Sequence, residues 1–325
     1  MQSAADEVTR PPHWASLREA GLSTGLWFLY GVYRCGGRWL YRILLWPVAF
    51  YFALTRGVAR RASIEYLGRV GVLAPDASWA TRFWHVTCHI ERFADALLDK
   101  ALAWTGALDL GTTHTDVDPR LDEAVAAGQG GVLVVAHCGN LEVLRALARS
   151  MSNARLTILM HTRHAQRFNR LLTRLNPESA ANLLQVTEID AAVAAELSHC
   201  VGRGEFVVIA ADRVPVGSGT RGHAGHTLDV PFLGLPAPLP IGPWVLAAAL
   251  GCPVFWLSCL KSEGVYTLHC ERLFERVVLP RAQRAAALAQ VMGVYAQRLE
   301  AACRAAPYAW FNFYPFWSAP GAARA

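Results

Sequence analysis

The chain has 325 residues, 53% of them hydrophobic and only 17% charged. That is enough for one large core, or for a domain with an appendage, and high for a free cytosolic protein. The formal net charge of +6 fits an anionic partner: lipid headgroups, an acidic carrier protein or nucleic acid. Nucleic acid is set aside because the arginines cluster on an aromatic, membrane-like segment rather than along a polar groove. The eight cysteines are scattered without a C-x-x-C pair and read as buried free thiols of a reducing compartment.

Residues 1–21 form an amino-terminal tail that carries Asp6, Glu7, Arg10, Arg18 and Glu19 but no apolar run of signal-peptide type. Residues 22–70 follow as a membrane-associating helical segment rich in Trp, Phe, Tyr and Leu. Within it Arg34, Arg38 and Arg42 recur every four positions, a basic stripe on a helix that is otherwise apolar. The uninterrupted apolar part, residues 43–55, reaches only about 20 Å as a helix, against roughly 30 Å of hydrocarbon. Arg42, Arg38 and Pro47 oppose a longer straight span. The expectation is an interfacial or re-entrant helix pair whose arginines meet lipid phosphates. Arg56, Arg60, Arg61 and Arg69 would keep the downstream domain on the cytoplasmic side.

Residues 71–325 read as one α/β domain with a mainly parallel central sheet flanked by helices. Helices are expected over 77–104, capped by Asp76 or Ser78, and over 118–127, ending at Gly128. A buried strand at 131–136 leads into a helix at 141–150 with Asn140 as N-cap. A strand at 155–160, helices at 164–175 and 189–201, and a strand at 205–210 follow. Residues 212–230 are a Gly- and His-rich loop, expected to be mobile over the site. A helix at 241–250, a hairpin of strands at 253–260 and 264–271, and a helix at 281–305 complete the domain.

The most informative motif is His137-Cys138-Gly139-Asn140-Leu141-Glu142, placed straight after the apolar strand. Ligands of open α/β sheets bind at that edge. A histidine there, paired with a carboxylate, can take a proton from an alcohol. Glu142, in the first helical turn, is the expected partner of one imidazole nitrogen, leaving the other free as base. No Ser, Thr or Cys sits in a nucleophile elbow, so the base would activate the substrate's own hydroxyl. Backbone N–H groups of residues 139–141 are the expected stabilisers of a developing oxyanion. Arg163 follows the next strand beside His161 and His164, a cluster suited to anion binding.

Residues 131–142 resemble the H-x-x-x-x-[D/E] block of glycerolipid acyltransferases, and the Glu version resembles the bacterial lipid A biosynthesis (late) acyltransferase family. The blocks Met160-His161-Thr162-Arg163 with Phe168-Asn169-Arg170-Leu171, Ala211-Asp212-Arg213, and Asp229-Val230-Pro231-Phe232-Leu233-Gly234 are similar to further blocks of that family, in the same order. The resemblance spans roughly residues 20–315. It implies a lipid A-like acyltransferase on the cytoplasmic face of the bacterial inner membrane. The acyl thioester of acyl carrier protein or coenzyme A would be co-substrate, with no bound cofactor. His137 would be the base and Glu142 its orienting partner. Arg163 would steady a phosphate or oxyanion, Asp212 would support the site, and Asn140, Asn169 and Arg213 would line the substrate region. Residues 231–239 and the helix after them would border the acyl groove. Two departures point to a different acceptor. The family's carboxy-terminal Trp-x-x-Arg-Arg pattern appears here without arginines, over residues 310–317, and Arg213 stands where Gln is common.

A catalytically inactive lipid-binding protein of the same fold and a metal-dependent hydrolase are the competing classes. His85 and His89 are spaced i, i+4 but lack a His-Glu-x-x-His pattern, so a packed helix is expected there. His223 and His226 lie in the Gly-rich loop without a second ligand pair. No metal is expected at either place.

Overall fold

A computed structural model describes residues 22–108, 111, 113–143, 155–161, 183–186, 191–213 and 227–317. Helix α1 (Leu22–Thr55) is broken at Gly37, whose φ of 68° and ψ of −171° no helix accepts, so it is two helices that meet at a kink. Helix α2 (Gly57–Arg69) and the long α3 (Trp79–Trp104) follow. Ser78 starts α3, its hydroxyl accepting Thr81 N–H at 3.1 Å. The α/β domain then runs β1 (His114–Val117), α4 (Pro119–Ala126), β2 (Gly131–Val135), β3 (Leu156–His161), β4 (Leu183–Val186), α5 (Ala191–Gly202), β5 (Phe206–Ala210), β6 (Thr227–Phe232), β7 (Leu235–Pro240), α6 (Gly242–Leu250), β8 (Val254–Ser262), β9 (Val265–Phe274) and α7 (Arg284–Ala305).

Seven strands form one sheet in the order β1-β9-β8-β2-β5-β3-β4. Every pair is parallel except the β8–β9 hairpin. The expected α/β architecture is therefore present. Alternation along the central strands sends Val132, Val134, Val207, Ile209, Val254 and Trp256 to one face, under α2, α5, α6 and α7. Leu133, Val135, Phe206, Val208, Phe255 and Leu257 go to the other, under α4 and the end of α3. With both faces covered, these strands read as continuous apolar runs.

Four strands are absent from the sequence reading. β1 is short and mostly exposed at the sheet edge. β4 has only four residues on the opposite edge. β6 and β7 form a separate antiparallel hairpin within residues read as loop and groove wall. Pro231, Pro236, Pro238 and Pro240 mask that hairpin in sequence. Its Val230, Phe232, Ala237 and Leu239 are buried in the main core. A cleft of about 410 Å³ borders Pro231, Phe232 and Gly234, but its opposite wall is α7, with Gln297, Glu300 and Arg304.

The arginine stripe of α1 meets carboxylates rather than open solvent. Glu91, Asp95 and Asp99 recur every four residues on α3 and are buried. Arg38 binds Asp95 at 3.2 Å and also Asp99, and Arg42 lies 3.8 Å from Asp95 and 3.9 Å from Glu91. Lys261 of β8 bonds Asp95 at 3.1 Å and Asp99 at 2.5 Å, and Tyr266 donates to Asp99 at 2.5 Å. Each buried carboxylate has at least one cationic partner, which is what makes its burial tolerable. Arg60 donates to the carbonyls of Ala53 and Leu54 at 2.9 and 2.8 Å and so caps α1. Arg38 and Arg42, expected to meet lipid phosphates, thus have internal carboxylates as partners.

The opposite face of α1 is apolar and open. Trp39 is 75% exposed, and Ile43, Leu44, Val48, Phe50, Tyr51 and Leu54 are exposed with it, joined by Trp79 and Trp84 of α3. No helix among the described residues is long and apolar enough to cross a membrane.

Candidate active site

Parallel pairing builds the site. β2 and β5 are neighbours in register, with Val135 opposite Ala210. Each chain then runs two residues further, through Ala136 to His137 and through Ala211 to Asp212. Equal overhang brings the two side chains together: His137 Nδ1 lies 2.8 Å from Asp212 Oδ1. The His137 backbone N–H donates to Asp212 Oδ2 at 3.0 Å, so one carboxylate grips both the ring and the turn beneath it. Asp212 is fully buried, whereas the His137 side chain keeps 37% of its surface exposed.

Burial pushes the Asp212 carboxyl upward, but the His137 ring, its backbone N–H and the neighbouring Arg213 outweigh burial and hold it well below the usual carboxylate range. An ionised Asp212 accepts Nδ1–H and leaves Nε2 with the lone pair. Among the described residues no hydroxyl or thiol hydrogen-bonds His137. Cys138, next in sequence, is sealed in the core. A hydrogen bond with Cys303, then burial, push its thiol far up, which disqualifies it as a nucleophile.

The carboxylate that hydrogen-bonds the His137 ring is thus Asp212, where the sequence reading named Glu142. The reason is direction. Glu142 follows the Asn140 cap on the helix that starts at Leu141, and its carboxylate lies 3.7 Å from Lys100 of α3. Asp212, across the β2–β5 register, reaches Nδ1 instead. The signal that finds it is the matching pair of five-residue apolar strands, each followed by Ala and then the polar residue.

Asn140 is the helix cap, as its sequence position predicts. Its Oδ1 accepts Glu142 N–H at 3.2 Å and Val143 N–H at 3.4 Å, and its Nδ2 donates to Ala96 O at 2.9 Å. Both ends of its carboxamide therefore bond within the fold. Arg213 donates to Phe311 O at 2.8 Å and lies over the Tyr314 ring. Arg163 and Asn169, with His164, His223 and His226, lie outside the described residues.

The turn between His137 and Asn140 depends on Gly139. Its φ is +81°, and a Cβ there would lie 2.0 Å from Cys259 O. The close approach lets Asn140 N–H reach Cys259 O at 3.0 Å while Gly139 N–H reaches Ala309 O at 2.8 Å. Two of the N–H groups expected for an oxyanion are therefore engaged within the backbone. Leu141 N–H, in the first helical turn, has no such partner among the described residues.

The last described segment closes the site from the other side, and sequence reasoning missed it. Phe311 N–H donates to His137 O at 3.3 Å, Cys138 forms a bridge with Trp310, and the Trp310 indole N–H donates to Asp212 Oδ2 at 3.1 Å. α3 holds this segment in place. His85 Nδ1 lies 2.5 Å from Tyr308 Oη. His89 Nε2 donates to Trp310 O at 3.1 Å while its Nδ1 takes the Ser63 hydroxyl at 2.8 Å. Burial lowers the His89 pKa to about 4, against the opposing pull of the Trp310 carbonyl, so the ring is neutral. The i, i+4 histidine pair is a packing device, and no group of three or more metal-ligating side chains occurs among the described residues.

No protein-family model matches the chain, and none of the curated proteins is similar enough to match it.

Proposed function

We propose that this protein is an acyltransferase that moves a fatty acyl group from an acyl thioester, on acyl carrier protein or coenzyme A, to a hydroxyl of a lipid or glycolipid at a membrane surface. The carrying observation is the 2.8 Å contact between His137 Nδ1 and Asp212 Oδ1 under a ring that is open to solvent. Nε2 takes the proton of the acceptor hydroxyl as its oxygen attacks the thioester carbonyl. The new C–O bond places negative charge on the carbonyl oxygen, next to the N-terminus of the helix that starts at Leu141, with Arg163 as a second candidate. Collapse breaks the C–S bond, and the imidazolium returns its proton to the departing thiolate. No acyl-enzyme forms, so the kinetics are sequential rather than ping-pong.

The membrane part rests on the exposed face of Trp39, Phe50, Tyr51, Leu54, Trp79 and Trp84. Aromatic, apolar surface of this kind favours the bilayer interface. Arg34, Arg56 and Arg61 are exposed nearby in sequence and suit anionic lipid of a cytoplasmic leaflet. An intact His137–Asp212 pair weighs against a catalytically inactive scaffold.

The test is label transfer. Protein purified in detergent is incubated with labelled acyl carrier protein or acyl-coenzyme A and a panel of lipid and glycolipid acceptors. Transfer is expected from the wild type, with a loss on the order of 10²–10⁴-fold in folded His137→Ala. Wild-type rates in that variant would refute the assignment of the base.

A further inference from the structure

Among the described residues Asp212 accepts three hydrogen bonds, and two come from His137 itself. The third comes from Trp310, 98 residues further along the chain. We propose that Trp310 is a positioning residue for the base: its indole N–H holds Asp212 Oδ2 so that Oδ1 stays in line with His137 Nδ1. This rests on the reading of His137 as the base, but not on the identity of the acyl donor or acceptor.

Trp310 is anchored well enough for that task. Its ring is buried and packs edge-on against Tyr66 at 5.0 Å, Phe232 at 5.3 Å and Phe316 at 5.0 Å. Its carbonyl is held by His89, and both flanking residues bond the His137 turn: Ala309 O accepts Gly139 N–H, and Phe311 N–H reaches His137 O. The indole therefore has one orientation, and a rigid donor fixes a carboxylate better than a mobile one. The N–H also draws negative charge from the carboxylate, which tempers its pull on a protonated imidazole. Removing that donor leaves Asp212 freer to turn and more basic, so His137 should hold its proton to higher pH.

The other polar groups around the pair are Arg213, Tyr295, Tyr314, Cys138 and Cys303. Arg213 stays charged. Tyr295 donates to Val135 O at 3.1 Å, and burial raises Tyr295 and Tyr314 far above neutrality. The Cys138 thiol is likewise pushed up, by Cys303 and by burial.

A built-in control exists. The Trp317 indole N–H is buried without a hydrogen-bond partner among the described residues, and its ring packs 6.1 Å from that of Trp310. Trp310→Phe and Trp317→Phe thus remove the same atoms from the same aromatic cluster, but only the first takes a bond from Asp212.

The experiment is nitrogen NMR of the full chain labelled at histidine, with His137 assigned by its loss in His137→Gln. It needs no substrate, so its result is independent of whether acyl transfer is found. Wild type is expected as the Nδ1–H tautomer. In Trp310→Phe the His137 midpoint should rise by about half a pH unit or more, and in Trp317→Phe it should stay put. Should Trp310→Phe fail to fold, the wild type labelled at tryptophan gives the answer: one indole resonance should titrate with the His137 midpoint and lose that dependence in His137→Gln. An unchanged midpoint in folded Trp310→Phe, or no indole signal that follows His137, overturns the proposal.

Discussion

Gly139→Ala is the substitution whose cost the structure specifies most fully. Gly139 has φ of +81°, where an L side chain is strained by roughly 1–2 kcal/mol. Its new Cβ would fall 2.0 Å from Cys259 O, whereas ordinary contact begins near 3.4 Å. Cys259 sits in β8, held between β2 and β9, so the turn must give way and not the strand. Moving the turn breaks Gly139 N–H to Ala309 O and Asn140 N–H to Cys259 O, each worth about 1 kcal/mol. Residual crowding adds about 1–3 kcal/mol, for a total of about 4–7 kcal/mol. Gly234→Ala is the reference, because Gly234 has φ of +85° and a Cβ added there would meet nothing within 4 Å, so it carries the torsional cost alone. Guanidinium unfolding at constant m compares the two. Gly139→Ala should lose at least about 3 kcal/mol more than Gly234→Ala. A difference under about 1 kcal/mol would refute the argument that close backbone approach fixes this turn.

Three other expectations follow from the same contacts. Asp212→Asn keeps the shape but loses the charge that holds Nδ1–H, and should lower kcat/KM for acyl transfer by about 10³-fold or more, whereas Glu142→Gln should cost less than about tenfold; the reverse ranking in folded variants would restore Glu142 as the orienting partner. His89 has its folded pKa lowered to about 4, so the unfolded chain takes up its proton first as pH falls. The stability it contributes is complete above about pH 6.5 and is lost towards pH 4, roughly 3 kcal/mol in all; unfolding curves of His89→Gln should show a visibly flatter dependence across that window. Finally, Trp39→Ser, Phe50→Ser and Tyr51→Ser combined should reduce sedimentation with anionic phospholipid vesicles at least tenfold, since each side chain contributes on the order of 1 kcal/mol or more on burial. Binding equal to the wild type would remove this face from the membrane.

The parts of the fold that are legible from sequence are those where one physical signal dominates. The apolar runs of β2, β5 and β8 and the caps Ser78 and Asn140 announce their elements to within a few residues. β1 and β4 are illegible because short edge strands bury too little to leave a pattern. The β6–β7 hairpin is hidden because four prolines contradict strand propensity. At the site, His137 stands out because it directly ends a buried strand. Its true partner is less visible, since local spacing favours Glu142 while the contact with Asp212 needs the pairing of β2 with β5. The roles of Arg38 and Arg42 are obscured for a related reason. Read alone they form a basic stripe, and only beside Glu91, Asp95 and Asp99, with the same four-residue period, do they become half of an internal lattice of charge.

The clasp formed by residues 309–311 has a consequence for synthesis. A nascent chain that has already released β2 and β5 owns the histidine and the aspartate, yet it still lacks the Ala309 carbonyl, the Phe311 N–H and the Trp310 indole that bond the turn and its carboxylate. The clasp emerges some hundred residues later and locks it. A product cut short of residue 309 would carry the His137–Asp212 pair without the strap that fixes it, however well its sheet has formed.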